Sequence, residues 1–181
     1  MAAEQQRQNA EESSRRELSA RMSESDPISI LKVTTAQELS NCRPMKEGWV
    51  RREGRQNVFT RTWCVLWQDD GSGHVTEKAE KQMASVTSAW LIFFESPSSS
   101  KPSDVYALSP ATPTRSSDEA NSASKMVEIG NTKKVRTSCE HCLRVDGRPP
   151  KGSGGSKWKV VFGTDDADDL SQWRTLLERA L

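Results

Sequence analysis

All the aromatic side chains of this chain lie beyond residue 45: six tryptophans, four phenylalanines and the single tyrosine. Large aromatics supply much of a protein's core and must be buried, so the core has to be built from residue 45 onward. Residues AVILMFWYC make up only 34% of the 181, and even with the ten glycines the apolar share stays under the roughly 45–50% usual for a globular domain. Part of the chain is therefore expected outside the core. Residues 1–44 are rich in Glu, Gln, Arg and Ser, with few large hydrophobes before the short patch Ile28, Ile30, Leu31 and Val33. Such a composition does not offset the entropy of ordering a chain. This stretch reads as a polar, disordered tail, with a fraying helix at 10–22 and no heptad seam for a coiled coil.

From residue 45 the pattern is that of strands. The segment K-E-G-W-V-R-R at 46–52 alternates, and F-T-R-T-W-C-V-L-W at 59–67 is aromatic and β-branched. The short span between them contains Gly54 and Asn57, which predicts an antiparallel hairpin. A continuously apolar run at 89–94 predicts a strand deep in a sheet. Further strands are expected at 126–129, 133–137, 141–145 and 157–162, each bounded by Gly, Asn, Ser or Pro. Polar stretches at 68–88 and 96–124 read as long loops, in which 75–83 and 104–108 are open between a helical turn and a short strand. The period then changes: Leu170, Trp173, Leu176, Leu177, Ala180 and Leu181 follow helical spacing. Thr164 or Asp165 is expected to cap that helix, and the acidic residues that follow suit its positive end.

Charge and motifs exclude several function classes. The formal net charge is +1, so there is no global field for nucleic acid, and no helix presents a basic face. No nucleophile signature, phosphate-cradling loop or paired carboxylates appear, so the chain reads as non-catalytic and without a cofactor. C-E-H-C at 139–142 has metal-ligand spacing, but Cys42 and Cys64 are remote and tetrahedral zinc needs four converging ligands. These read as structural thiols, with no metal. His74 reads as a plain exposed loop residue. Four uneven cysteines, no signal-peptide core and no run near the ~18 apolar residues of a membrane span predict a reduced, cytoplasmic protein without a transmembrane segment. Ser109, Thr112 and Ser116 in the second loop are candidate phosphorylation positions.

Seven short antiparallel strands followed by an amphipathic helix with a central tryptophan resemble a pleckstrin homology domain. The segment at 46–52 is similar to that family's opening K-x-G-W-L-x-K, and R-T-W-C-V-L at 61–66 to its second-strand R-W-F-V-L. W-L-I-F-F-E at 90–95 resembles the third strand, V-E-I-G at 127–130 and Val135 with Arg136 the fourth and fifth, and H-C-L-R-V at 141–145 the sixth. D-D-L-S-Q-W-R-T-L-L at 168–177 is similar to the closing helix, with Trp173 at its most characteristic position. The resemblance covers about 45–181 and rests on serial order rather than on one motif. It implies a mainly β fold, a seven-stranded antiparallel sandwich or partial barrel, with the helix plugging one end through Leu170, Trp173 and Leu177. It also implies a ligand at the opposite, open end: the headgroup of an inositol phospholipid.

Dense phosphate charge needs several converging Lys or Arg donors. Residues 45–63 carry Lys46, Arg51, Arg52, Arg55 and Arg61 against Glu47 and Glu53. With Val50 inward, alternation puts Arg52 on the same face, aimed into the open mouth, while Arg51 points away as a solvated charge. Thr60 and Thr62 stand where lipid-binding members place two basic residues, and threonine cannot neutralise phosphate. The candidate site is thus Lys46, Arg52, Arg55, Arg61, Thr60 and Thr62. Three readings of it stay open: a solvated edge, electrostatic attachment to an anionic membrane, or specific phosphoinositide recognition. The functional expectation is a binding module recruited peripherally to anionic membrane lipid, the alternative a protein-interaction adaptor without a lipid ligand.

Overall fold

The computed structural model describes residues 2–54, 58–68, 89–108, 125–128, 139, 141–147 and 157–181. Seven strands form one antiparallel sheet: β1 (Lys46–Glu53), β2 (Phe59–Gln68), β3 (Ala89–Phe94), β4 (Asp104–Leu108), β5 (Lys125–Glu128), β6 (His141–Gly147) and β7 (Trp158–Thr164). Their spatial order is β4-β3-β2-β1-β7-β6-β5, and the sheet does not close. It is mainly β with a C-terminal helix, α4 (Ala167–Ala180), an architecture consistent with a pleckstrin-homology-like fold. The structure decides one stretch that the sequence leaves open. The stretch 104–108, left open above, is β4, and the strand expected at 133–137 lies outside the described residues.

The sheet is folded on itself, and ring contacts prove it. Neighbouring strands sit about 4.8 Å apart, so in a flat sheet β3 and β7, three places apart, would not touch. Yet the rings of Phe93 and Phe162 are 5.9 Å apart, and those of Tyr106 and Trp158 are 4.8 Å apart. β1 and β7 join the two halves of the sheet through the pairs Arg51↔Gly163 and Arg52↔Phe162. Between the two halves lies a core of Val50, Cys64, Leu66, Leu91, Phe93, Leu143, Val145 and Phe162.

Helix α4 closes one end of that core with Leu170, Trp173, Leu177 and Ala180, all buried. Each large side chain there is worth about 1.5–3 kcal/mol of transfer free energy. Trp173 meets Phe162 edge-on at 5.8 Å. The cap is Asp166, one or two residues after the expected Thr164 or Asp165, and its carboxylate accepts from the Asp168 and Asp169 amides. Thr164 instead donates its hydroxyl to the Asp166 carbonyl at 2.5 Å.

The expected disordered tail over 1–44 is corrected by the structure. It forms three helices: α1 (Ala2–Glu24), α2 (Pro27–Leu31) and α3 (Ala36–Asn41). The physical cause is the second face of the sheet, where Val65, Trp67, Trp90, Ile92 and Phe94 point away from the main core. Leu18, Met22, Leu31, Ala36, Leu39 and Cys42 cover that face and are buried with it. Most of the segment's few hydrophobes, though not the exposed Val33, are thus concentrated on one interface, which average composition cannot reveal. Polar ties complete the docking: Arg15 donates to the Gln68 carbonyl at 3.2 Å, the Ala36 amide to the Ser99 carbonyl at 3.2 Å, and Thr35 with Glu38 makes a capping box.

Candidate ligand-binding site

The hairpin of β1 and β2 aligns Val50 with Thr62, Arg51 with Arg61 and Arg52 with Thr60. Val50 faces the core, and Arg52 follows it onto the same face at the mouth opposite α4. The mouth is nevertheless not an array of free cations. Arg52 Nη1 lies 2.5 Å from an Asp104 carboxylate oxygen, and Nη2 donates to the Tyr106 hydroxyl at 2.8 Å. Its guanidinium also stacks over Phe93, 4.5 Å from the ring centre. The Arg52 side chain is only 17% exposed, and its buried Nε has no hydrogen bond among the described residues. Burial pushes the Tyr106 pKa up, outweighing the lowering by Arg52, so the hydroxyl stays neutral.

The other predicted residues are scattered. Lys46 sits at the helix end of the fold, bridging to Asp169 at 2.7 Å and to Gln172 at 3.0 Å, with its ammonium 5.4 Å from the Trp173 ring centre. It is an anchor for α4, not a partner of Arg52, because five residues of extended strand lie between the two. Arg51, expected as a solvated charge, pairs with Asp165 at 2.6 Å. Thr60 is exposed, whereas Thr62 is buried and donates to the Thr60 carbonyl at 3.3 Å. Arg61 is exposed on the opposite face of the hairpin and stacks on Trp49 at 4.4 Å. Arg55 lies outside the described residues, as do His74, Ser109, Thr112 and Ser116.

A groove of about 720 Å³ opens at this mouth. Among the described residues, two arginines, Arg52 and Arg61, line it against three carboxylates, Glu53, Glu95 and Asp104. Sequence reasoning missed Asp104 because its segment was undecided. The available signal was the alternation of Asp104 with Tyr106, which places a carboxylate and a phenol on one face of a strand. A second groove, of about 490 Å³, lies on the outer face of β1 and β2, where Trp49, Arg51 and Arg61 meet Asp165, Asp166 and Asp169. Trp49 is 37% exposed there and packs edge-on against Trp63 at 5.6 Å.

Among the described residues no three His, Cys, Asp or Glu side chains converge as metal ligands. Among the same residues no helix is long and apolar enough to cross a membrane. A search against protein-family models returns no match for the chain, and neither does a search of curated proteins.

Proposed function

We propose that this chain is a non-catalytic binding module whose ligand is a protein surface rather than an inositol phospholipid headgroup. The observation that carries this reading is Asp104: it already occupies the arginine that a headgroup phosphate would require. Among the described residues the groove around that pair holds more carboxylates than guanidinium groups, so a dense anion gains little from them. The outer face of the hairpin offers the opposite character. Trp49, Trp63 and Arg61 form a half-exposed aromatic and cationic patch, and Trp and Arg dominate the energetics of protein interfaces.

The deciding experiment pairs two measurements on the full chain. Sedimentation with vesicles containing phosphatidylinositol bisphosphate should leave the protein in the supernatant at physiological salt. Proximity labelling in cells should enrich a set of proteins that Trp49→Ala with Arg61→Ala loses. Sedimentation that Arg52→Glu abolishes would reverse the reading in favour of specific lipid recognition. Salt-sensitive sedimentation that only Arg61→Glu weakens would favour electrostatic attachment, the reading that the exposure of Arg61 supports.

A further inference from the structure

We propose that Cys139 and Cys142 are a peroxide-responsive dithiol, a modification site that closes to an intrachain disulfide while Cys42 and Cys64 stay reduced. The pair is built by Gly163. A Cβ at that position would lie 2.4 Å from Cys139 Sγ, 3.0 Å from Cys142 Sγ and 2.0 Å from the His141 carbonyl oxygen. Both sulfurs therefore turn into the one small volume that this glycine leaves vacant, on β7 opposite the start of β6. The backbone holds them there: Cys142 Sγ is 3.5 Å from the Cys139 carbonyl and Cys139 Sγ is 3.4 Å from the His141 carbonyl. Phe59 and Val161 complete an apolar cluster over the two thiols, both of which are buried.

Roles follow from the surroundings. The hydrogen bond with Cys142 holds the Cys139 thiol below the usual cysteine range, against the opposing effect of burial. Cys42 is pushed up to about 11, chiefly by burial, and burial also raises Cys64, so neither offers a thiolate. The Cys139 thiolate attacks one oxygen of hydrogen peroxide, the O–O bond breaks, and the departing hydroxide takes a proton to leave as water. The resulting sulfenic acid is then attacked by Cys142 sulfur. Its S–O bond breaks, the second oxygen leaves as water with the Cys142 proton, and the disulfide forms. Two thiols lose two hydrogens, and peroxide is reduced to two waters. Burial behind Phe59 and Val161 favours this small oxidant over a bulky disulfide such as oxidised glutathione.

The test treats the reduced full chain with hydrogen peroxide or with oxidised glutathione, alkylates the remaining thiols after denaturation, and maps them by peptide mass spectrometry. Peroxide should yield a Cys139–Cys142 link, two hydrogens lighter, with Cys42 and Cys64 alkylated and with little linkage from glutathione disulfide. In Cys142→Ser, dimedone should trap a sulfenic acid on Cys139. The proposal is overturned if no link forms once the methionines are already sulfoxides. It is equally overturned if the link forms as fast in the urea-unfolded chain, where Gly163 cannot juxtapose the sulfurs.

Discussion

Replacing Asp104 by alanine removes the carboxylate that Arg52 touches and leaves a withdrawn guanidinium with one fewer partner. The cost is bracketed by two regimes. Exposed ion pairs contribute about 0.2–1 kcal/mol, whereas breaking a fully buried pair costs about 3–5 kcal/mol. Here the arginine is 17% exposed and the aspartate 44% exposed, which places the expected loss at about 1–3 kcal/mol between those regimes. Urea unfolding followed by tryptophan fluorescence should show it as a midpoint lower by roughly 0.3–1.5 M, taking an m-value of about 2–3 kcal/mol/M. Arg52→Leu and the double variant complete a cycle whose coupling should be about 1 kcal/mol or more. Freed from its carboxylate, Arg52 should also bind inositol trisphosphate more tightly in calorimetry than it does in the unmodified chain. Additive single and double variants, with no gain in anion affinity, would refute the claim that Asp104 occupies Arg52.

Other perturbations probe the scaffold. Leu39→Ala, in the helical layer on the outer face, should cost about 2–5 kcal/mol in the same unfolding assay, although it lies in a segment whose composition reads as a tail; no change would mean that the layer is not docked. Trp173→Ala should cost about 3–5 kcal/mol, because the indole is fully buried against Phe162 and under Lys46. Gly163→Ala should cost about 3 kcal/mol or more, since its new methyl would meet the His141 backbone oxygen at 2.0 Å. Gly48→Ala, with nothing within 4 Å of the added carbon, should change stability by no more than about 0.5 kcal/mol.

The strands β1, β2, β3, β6 and β7 and the helix α4 were legible because each carries a periodic apolar signal tied to its own backbone geometry. The outer-face helices were not. Leu18, Met22, Leu31 and Leu39 are too widely spaced to announce a core by themselves, and their meaning depends on Trp67, Trp90 and Phe94 lying opposite. The direction of Arg52 was readable from alternation with Val50, but its state was not, because Asp104 is 52 residues away in sequence. Lys46 was grouped with Arg52 by proximity in sequence, whereas an extended strand carries the two to opposite ends of the fold. Local pattern thus locates side chains on faces, while charge neutralisation is decided by partners that only the folded sheet supplies.

All six residues of β3 are buried, so alternate side chains serve the core between the sheet halves and the layer under the N-terminal helices. Such a strand has no solvent side on which to drift. A change in volume at any of its positions must be matched inside one compartment or the other, and the two compartments draw on different segments of the chain. Divergent homologues should therefore retain apolar bulk at 89–94 after their loops and surfaces have lost all likeness.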